Sequence, residues 1–182
     1  GAEPFLPFNP ARTISQWKGP VIAAINGRAV TGGFEIAVAC DVVLASTEAA
    51  FVDTHSRVGL LPGWGLSVRL HRTIGIYRAK ELELTGRRLP AAEAADWGLV
   101  NRVVSPDQLV QEAQRLLIAA TRGSFLSKGI GKQAYYAQID LPQEQAYNYA
   151  IEVMASTSQL PDAQEGMNSF LEKRQPRFTQ HE

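Results

Sequence analysis

The chain has 182 residues, enough to bury a sizeable core, and its length points to one domain, with an appendage at most. It is 45% hydrophobic and 20% charged, with 18 basic residues balancing 18 acidic ones, so no global charge argues for nucleic acid or an anionic membrane as partner. No apolar run approaches the roughly 20 residues of a membrane-spanning helix, and the first residues lack the pattern of a secretory leader; the single cysteine, Cys40, permits no internal disulfide and fits a reducing compartment, so a cytoplasmic location is expected.

Residues 1–17 carry Pro4, Pro7 and Pro10 with little periodicity and read as irregular, with a helical tendency over 14–17. Residues 21–25 are an apolar strand ending at the turn Asn26-Gly27. Gly32 and Gly33 then open a short apolar helix that carries one acid, Glu35, and residues 42–45 leave it as a second strand. A glycine has no Cβ, so backbone at Gly32 can approach a ligand closely. The first amides of a helix have no internal partner, and the helix dipole favours negative charge beside them. Glu35 stands in that first turn, where the dipole favours its ionised form. An amide donor beside a carboxylate suits enolate chemistry: one holds the oxygen, the other moves a proton. Taken alone, a strand, glycines and a helix describe many α/β proteins in which Glu35 would be a solvated acid, and there is no G-x-G-x-x-G phosphate fingerprint.

Residues 49–52 read as a short strand, and Asp53 is placed to cap the turn 54–57 that contains His55. A loop over 59–65 holds Pro62, Gly63 and Trp64. Helices follow over 66–74 and 76–84, separated at Gly75, and over 90–97, stopped by Gly98. After a strand at 100–104, Ser105 and Pro106 read as the N-cap and first position of a helix reaching Thr121. Its apolar residues Leu109, Ala113, Leu116, Leu117 and Ala120 form one face, expected to be buried. Gly123, Gly129 and Gly131 mark a change to helical character, with helices over 143–158 and 163–173, the second opened by an Asp162–Glu165 capping pair. The division expected is 1–122 and 123–182. Histidine can donate or accept a proton near neutral pH, so His55 suits acid–base work, or is a loop residue bonded to Asp53 or Ser56. His71, on a surface helix, and His181, in the tail, have no such context, and three scattered histidines with one cysteine make no metal spacing.

Several pieces occur in one order and cover nearly all of the chain from Pro20 onward: Ile25-Asn26-Gly27, Gly32-Gly33-Phe34-Glu35, Ala39-Cys40-Asp41, Ala50-Phe51, Gly59, Pro62-Gly63, Leu84-Thr85-Gly86, Gly98-Leu99-Val100, and Glu165-Gly166-Met167 through Lys173-Arg174. Together they resemble the enoyl-CoA hydratase/isomerase, or crotonase, superfamily. The resemblance implies an α/β fold, the crotonase ββα spiral, over 1–122, and a C-terminal helical region that builds a homotrimer or a dimer of trimers. It makes Glu35 one of two catalytic glutamates and the Gly32 amide one of two oxyanion donors to a thioester carbonyl. It places the Gly63 amide near the reacting water, Phe170 near the adenine and Lys173 near the phosphates of coenzyme A. Trp64 either narrows the acyl pocket or fills core, and Lys173-Arg174 would also complement a helix dipole without any ligand.

The chain departs from the family twice. His55 stands where hydratases carry their second glutamate. The long N-terminal portion, with the Ser-Ala-Gly-x-Asp-like loop that supplies the other oxyanion donor, has no counterpart, so the spiral is expected to lack its N-terminal part. The implied reaction is hydration of a trans-2-enoyl-CoA; the alternatives are double-bond isomerisation, or acyl-CoA binding with little turnover. No separate cofactor is expected, coenzyme A being part of the substrate, and no nucleic acid or membrane partner.

Overall fold

Short apolar runs set off by tight turns give the chain strands of two to five residues, divided between two sheets. The computed structural model describes residues 8–179. Strands β1 (Ile22–Ile25), β3 (Val42–Ser46) and β6 (Arg102–Val104) form one sheet in the order β1-β3-β6, parallel throughout, with Ile22 opposite Val42 and Leu44 opposite Arg102. Strands β2 (Arg28–Val30), β4 (Ala50–Val52) and β5 (Leu89–Pro90) form the other, with β2 and β4 parallel and β5 antiparallel to β4. The first two passes each lay one strand in the first sheet, one in the second, and then helix; the third lays β5 in the second sheet before β6 in the first. The helices of this part are α1 (Pro10–Gln16), α2 (Gly32–Ala39), α3 (Leu66–Ile74), α4 (Ile76–Thr85) and α5 (Ala91–Asp96). Helices α6 (Leu109–Thr121), α7 (Phe125–Gln138), α8 (Gln143–Ser158) and α9 (Pro161–Leu171) complete the described chain.

The chain divides into two compact units. One holds α1 and residues 21–117; the other holds residues 17–20 and the chain from 118 onward, so the boundary falls inside α6. The first unit has the hydrophobic core, in which Phe34, Phe51, Leu66, Leu70, Leu82 and Leu89 are fully buried. Phe34 of α2 meets Phe51 of β4 with ring centroids 5.2 Å apart and planes tilted by 48°, an off-parallel geometry that aromatic pairs favour. The Ala39-Cys40-Asp41 piece also has a local purpose. Asp41 Oδ2 accepts from Val21 N at 2.7 Å, which pins the start of β1 beside the start of β3.

Six expectations need correction. Residues 10–16 are helical, because Asn9 accepts from Arg12 N at 2.9 Å and caps a helix with Pro10 at its first position. Strand β2 was not anticipated: only Ala29 of its three residues is buried, too little pattern to see. Helix α6 begins at Leu109, since Gln108 N bonds back to Ser105 O at 3.0 Å and closes a turn first. Of its apolar face only Leu109 is buried and Leu117 is exposed; periodicity says which residues share a face, not what covers it. Helix α7 runs through Gly129 and Gly131, capped by Ser124, which accepts from Ser127 N at 3.0 Å. A Cβ at Gly129 would lie 3.0 Å from Lys18 O, so this glycine serves a close backbone approach within its unit. Finally, Asp162 and Glu165 do not cap α9. Pro161 opens that helix, Asp162 accepts from Thr179 N and Ser124 Oγ, and Glu165 pairs with Arg174 at 2.6 Å. The readings at Pro4, Pro7 and His181 lie outside the described residues. No helix among the described residues is long and apolar enough to cross a membrane.

Candidate active site

The Gly32-Gly33 entry to α2 is held by an unusual residue before it. Thr31 has φ 53° and ψ −111°, a left-handed φ that is costly for a β-branched side chain. Its neighbours hold it there. Thr31 N donates to Val52 O at 2.9 Å, its carbonyl accepts from Phe34 N and Glu35 N, and its hydroxyl is hydrogen-bonded to that of Thr54. This leaves the Gly32 and Gly33 N–H groups with no acceptor among the described residues, as expected for the first positions of a helix. A Cβ on Gly32 would come within 2.9 Å of the Trp64 ring, so the indole lies directly against the Gly32 backbone. Trp64 is half-buried and forms a wall beside this helix entry.

Glu35 is not a solvated acid: it is 2% exposed. A carboxylate so placed needs donors, because burying an unpaired charge is very costly. Its Oε1 accepts from Trp64 N at 2.8 Å and from Leu66 N at 3.2 Å. Its Oε2 lies 3.4 Å from His55 Nε2. The loop before α3 therefore secures one carboxylate oxygen with backbone amides and leaves the other facing an imidazole.

His55 opens a 3-10 turn, His55–Val58, and is itself buried. Asp53 Oδ1 accepts from His55 N at 2.9 Å, the local bond by which an aspartate shapes backbone two residues on. The same oxygen lies 2.6 Å from His55 Nδ1. Arg57 ties the turn to the end of α4 by donating to Gly86 O at 2.8 Å and Thr85 O at 3.2 Å. Gly86 has φ 58°, and a Cβ there would stand 2.8 Å from the Asp53 carbonyl oxygen, so the approach depends on glycine. Glu83 of α4 feels the cluster: burial, and then the charge of Asp53, push its carboxyl above the ordinary value, while His71 and His55 pull it down.

Of the residues singled out in the sequence, the structure brings Glu35, His55, Gly32 and Trp64 together. Gly63 adjoins them in the loop, exposed, and its N–H has no acceptor among the described residues. Gly63 and Trp64 also line a cleft of about 320 Å³ with Arg12, Ser15 and Arg69. Phe170 and Lys173 belong to the helical unit. Phe170 is 82% exposed near the end of α9, and Lys173 is exposed with φ 54°, just past the helix. The part that sequence reading undervalued is Asp53. The spacing Asp-x-His was the available signal, because a carboxylate that reaches the amide two residues on is also within reach of that residue's ring.

The family model described as enoyl-CoA hydratase/isomerase matches residues 8–181. A probable mitochondrial enoyl-CoA hydratase of Dictyostelium discoideum is 37% identical over 90% of this chain and 61% of its own length. A carnitinyl-CoA dehydratase of Salmonella heidelberg is 37% identical over 86% of this chain and 62% of its own. The chain thus spans about three fifths of the length of these curated relatives. Among solved structures, subunit I of an enoyl-CoA hydratase from Geobacillus kaustophilus superimposes with a TM-score of 0.89 at 38% identity, covering 98% of this chain and 69% of that one. An enoyl-CoA hydratase from Bacillus anthracis gives 0.86 at 34% identity, covering 92% and 65%. The alternating ββα path, the glycine entry to α2 and these matches along almost its whole length make this chain a member of the enoyl-CoA hydratase/isomerase family, with the crotonase fold.

Proposed function

We propose that the protein hydrates a trans-2-enoyl-CoA through a thioester enolate. The observation that supports this most is the buried contact of Glu35 Oε2 with His55 Nε2 at 3.4 Å, beside helix amides that have no acceptor among the described residues. Water adds to C3 while Glu35 takes its proton. The electron pair of the double bond moves onto the thioester oxygen, where the Gly32 N–H stabilises the developing charge. Protonated His55 then delivers its Nε2 proton to C2, and the proton held by Glu35 passes back to Nε2. One water has been added and both side chains return to their starting state. In this reading the Gly63 amide helps to hold the water and Trp64 bounds the acyl group. Phe170 and Lys173 contact the coenzyme A portion of the substrate, and no separate cofactor takes part.

The test is water addition to crotonyl-CoA by the full-length protein. Glu35→Gln keeps the shape and removes the proton acceptor, and should cost about 10²–10⁴ in rate. His55→Ala should lose rate steeply with acyl-CoA affinity preserved. Activity of Glu35→Gln within a few-fold of wild type overturns the assignment. Double-bond migration without water addition would make the protein an isomerase, with Glu35 as the lone proton shuttle. Binding with neither reaction would leave an acyl-CoA-binding protein.

A further inference from the structure

We propose that Asp53 is a positioning residue for this reaction, holding His55 in the tautomer protonated at Nδ1 so that Nε2 exchanges a proton with Glu35. The proposal rests on the hydratase reading for its role in turnover, but its geometry stands apart from it. One oxygen, Asp53 Oδ1, faces both His55 N at 2.9 Å and His55 Nδ1 at 2.6 Å. An ionised carboxylate only accepts hydrogen bonds, so Nδ1 must be the donor. That settles what Nε2 can be: a bare acceptor when the ring is neutral, a donor when it is charged. Facing it is Glu35 Oε2, whose partner oxygen is already occupied by the Trp64 and Leu66 amides. Two bare acceptors at 3.4 Å would repel, so the geometry suits a proton on Nε2 facing Oε2, the proton that the reaction moves.

A capping role alone does not account for the carboxylate. Serine or asparagine shapes the same turn without charge, and a buried charge is far more costly than a buried neutral polar group. Asp53 is nevertheless buried beside His55, with its backbone packed against Gly86 and the turn tied down by Arg57. Among the described residues its side chain bonds to His55 and makes no hydrogen bond to Glu35, and so acts through the ring.

Nitrogen-15 spectra of the His55 ring in the full-length wild-type protein test the tautomer without reference to activity. Neutral His55 should carry its proton on Nδ1 with Nε2 bare; a neutral ring protonated on Nε2 overturns the proposal. In the crotonyl-CoA assay Asp53→Asn should lower kcat by about 10²–10⁴ while KM stays within about threefold, the mark of an interaction used in turnover and not in binding. An Asp53→Asn protein with wild-type kcat overturns it as well, and if that variant fails to fold, the wild-type spectrum decides alone. A wild-type chain that hydrates nothing, yet shows the Nδ1 tautomer, sinks the hydratase reading and leaves the Asp53–His55 pairing supported.

Discussion

The two units of this molecule use apolar surface in opposite ways. In the α/β unit, Phe34, Leu44 and Phe51 are wholly buried, and so nearly are the polar Glu35, Asp53 and His55. In the helical unit the described buried residues are Gly19, Ser124, Gly129, Asp162 and Ser169, and α8 buries none at all. There Tyr147, Ile151, Met154 and Phe170 stand exposed, Met154 at 66%. A well-packed core can hold a few buried polar groups in fixed geometry, because its rigid surroundings keep their partners in place. Helices that leave this much apolar side chain outside are suited to contact with other chains. The homotrimer, or dimer of trimers, is our proposal for what covers them.

Truncation should separate the two units most sharply. Phe51→Ala removes a fully buried ring and should cost about 3–5 kcal/mol in chemical denaturation. Met154→Ala, measured on dilute protein, should fall within about 0.5 kcal/mol of wild type. Equal losses at both positions would erase the contrast and show that α8 is covered.

Charge placed on the exposed face comes next in size. Light scattering at micromolar concentration should find trimers or hexamers for the wild type. Ile151→Glu should weaken association by about 30-fold or more per site, a loss of about 2 kcal/mol typical of an interface hot spot. A monomeric wild type would end the proposal that α8 is an interface.

Surface ion pairs should treat the units alike, a third and smaller effect. Glu112 is lowered to about 2 by its hydrogen bonds from Arg115 and then Arg102. Glu165 is lowered to about 2 by Arg174 and then by the Arg177 amide. Both carboxylates have a lower value folded than their ordinary 4.5. Their contribution to stability is therefore present above the ordinary value and lost as pH falls toward 2. Thermal melts followed through that window should decline, and Glu165→Gln should flatten the decline. An identical slope in the variant would remove this pair from the acid response.

Glu83 gives the smallest effect and the opposite sign. Its folded value is raised by burial and Asp53, so its charged form opposes folding at neutral pH. Glu83→Gln should stabilise the protein by a few tenths of a kcal/mol near neutrality. The gain should vanish below the ordinary carboxylate range, where the acid is protonated in both states. A Glu83→Gln protein less stable at neutral pH would show that the carboxylate makes a favourable contact.

What was legible in the amino acids alone was local. The break at Gly75 between α3 and α4, the entry Gly32-Gly33 into α2 and strand β1 follow from glycine placement and short apolar runs, which act over four or five residues. The ordered family pieces added the spiral and the candidate roles of Glu35 and Gly32. Features decided by distant contacts were not legible. Strand β2 exists because Arg28–Val30 finds β4, and β3 is fastened when Val43 N donates at 2.9 Å to Asn101, 58 residues away. Asp162 had the spacing of a cap but found better donors in Ser124 and Thr179. The site divides along the same line. Sequence alone determined that an acid follows the glycine pair and that a histidine follows an aspartate by two residues. Only the tertiary structure decided that Glu35 is buried with one oxygen on the Trp64 and Leu66 amides and the other facing His55, because those partners lie 20 to 31 residues away and meet it only once the core has closed.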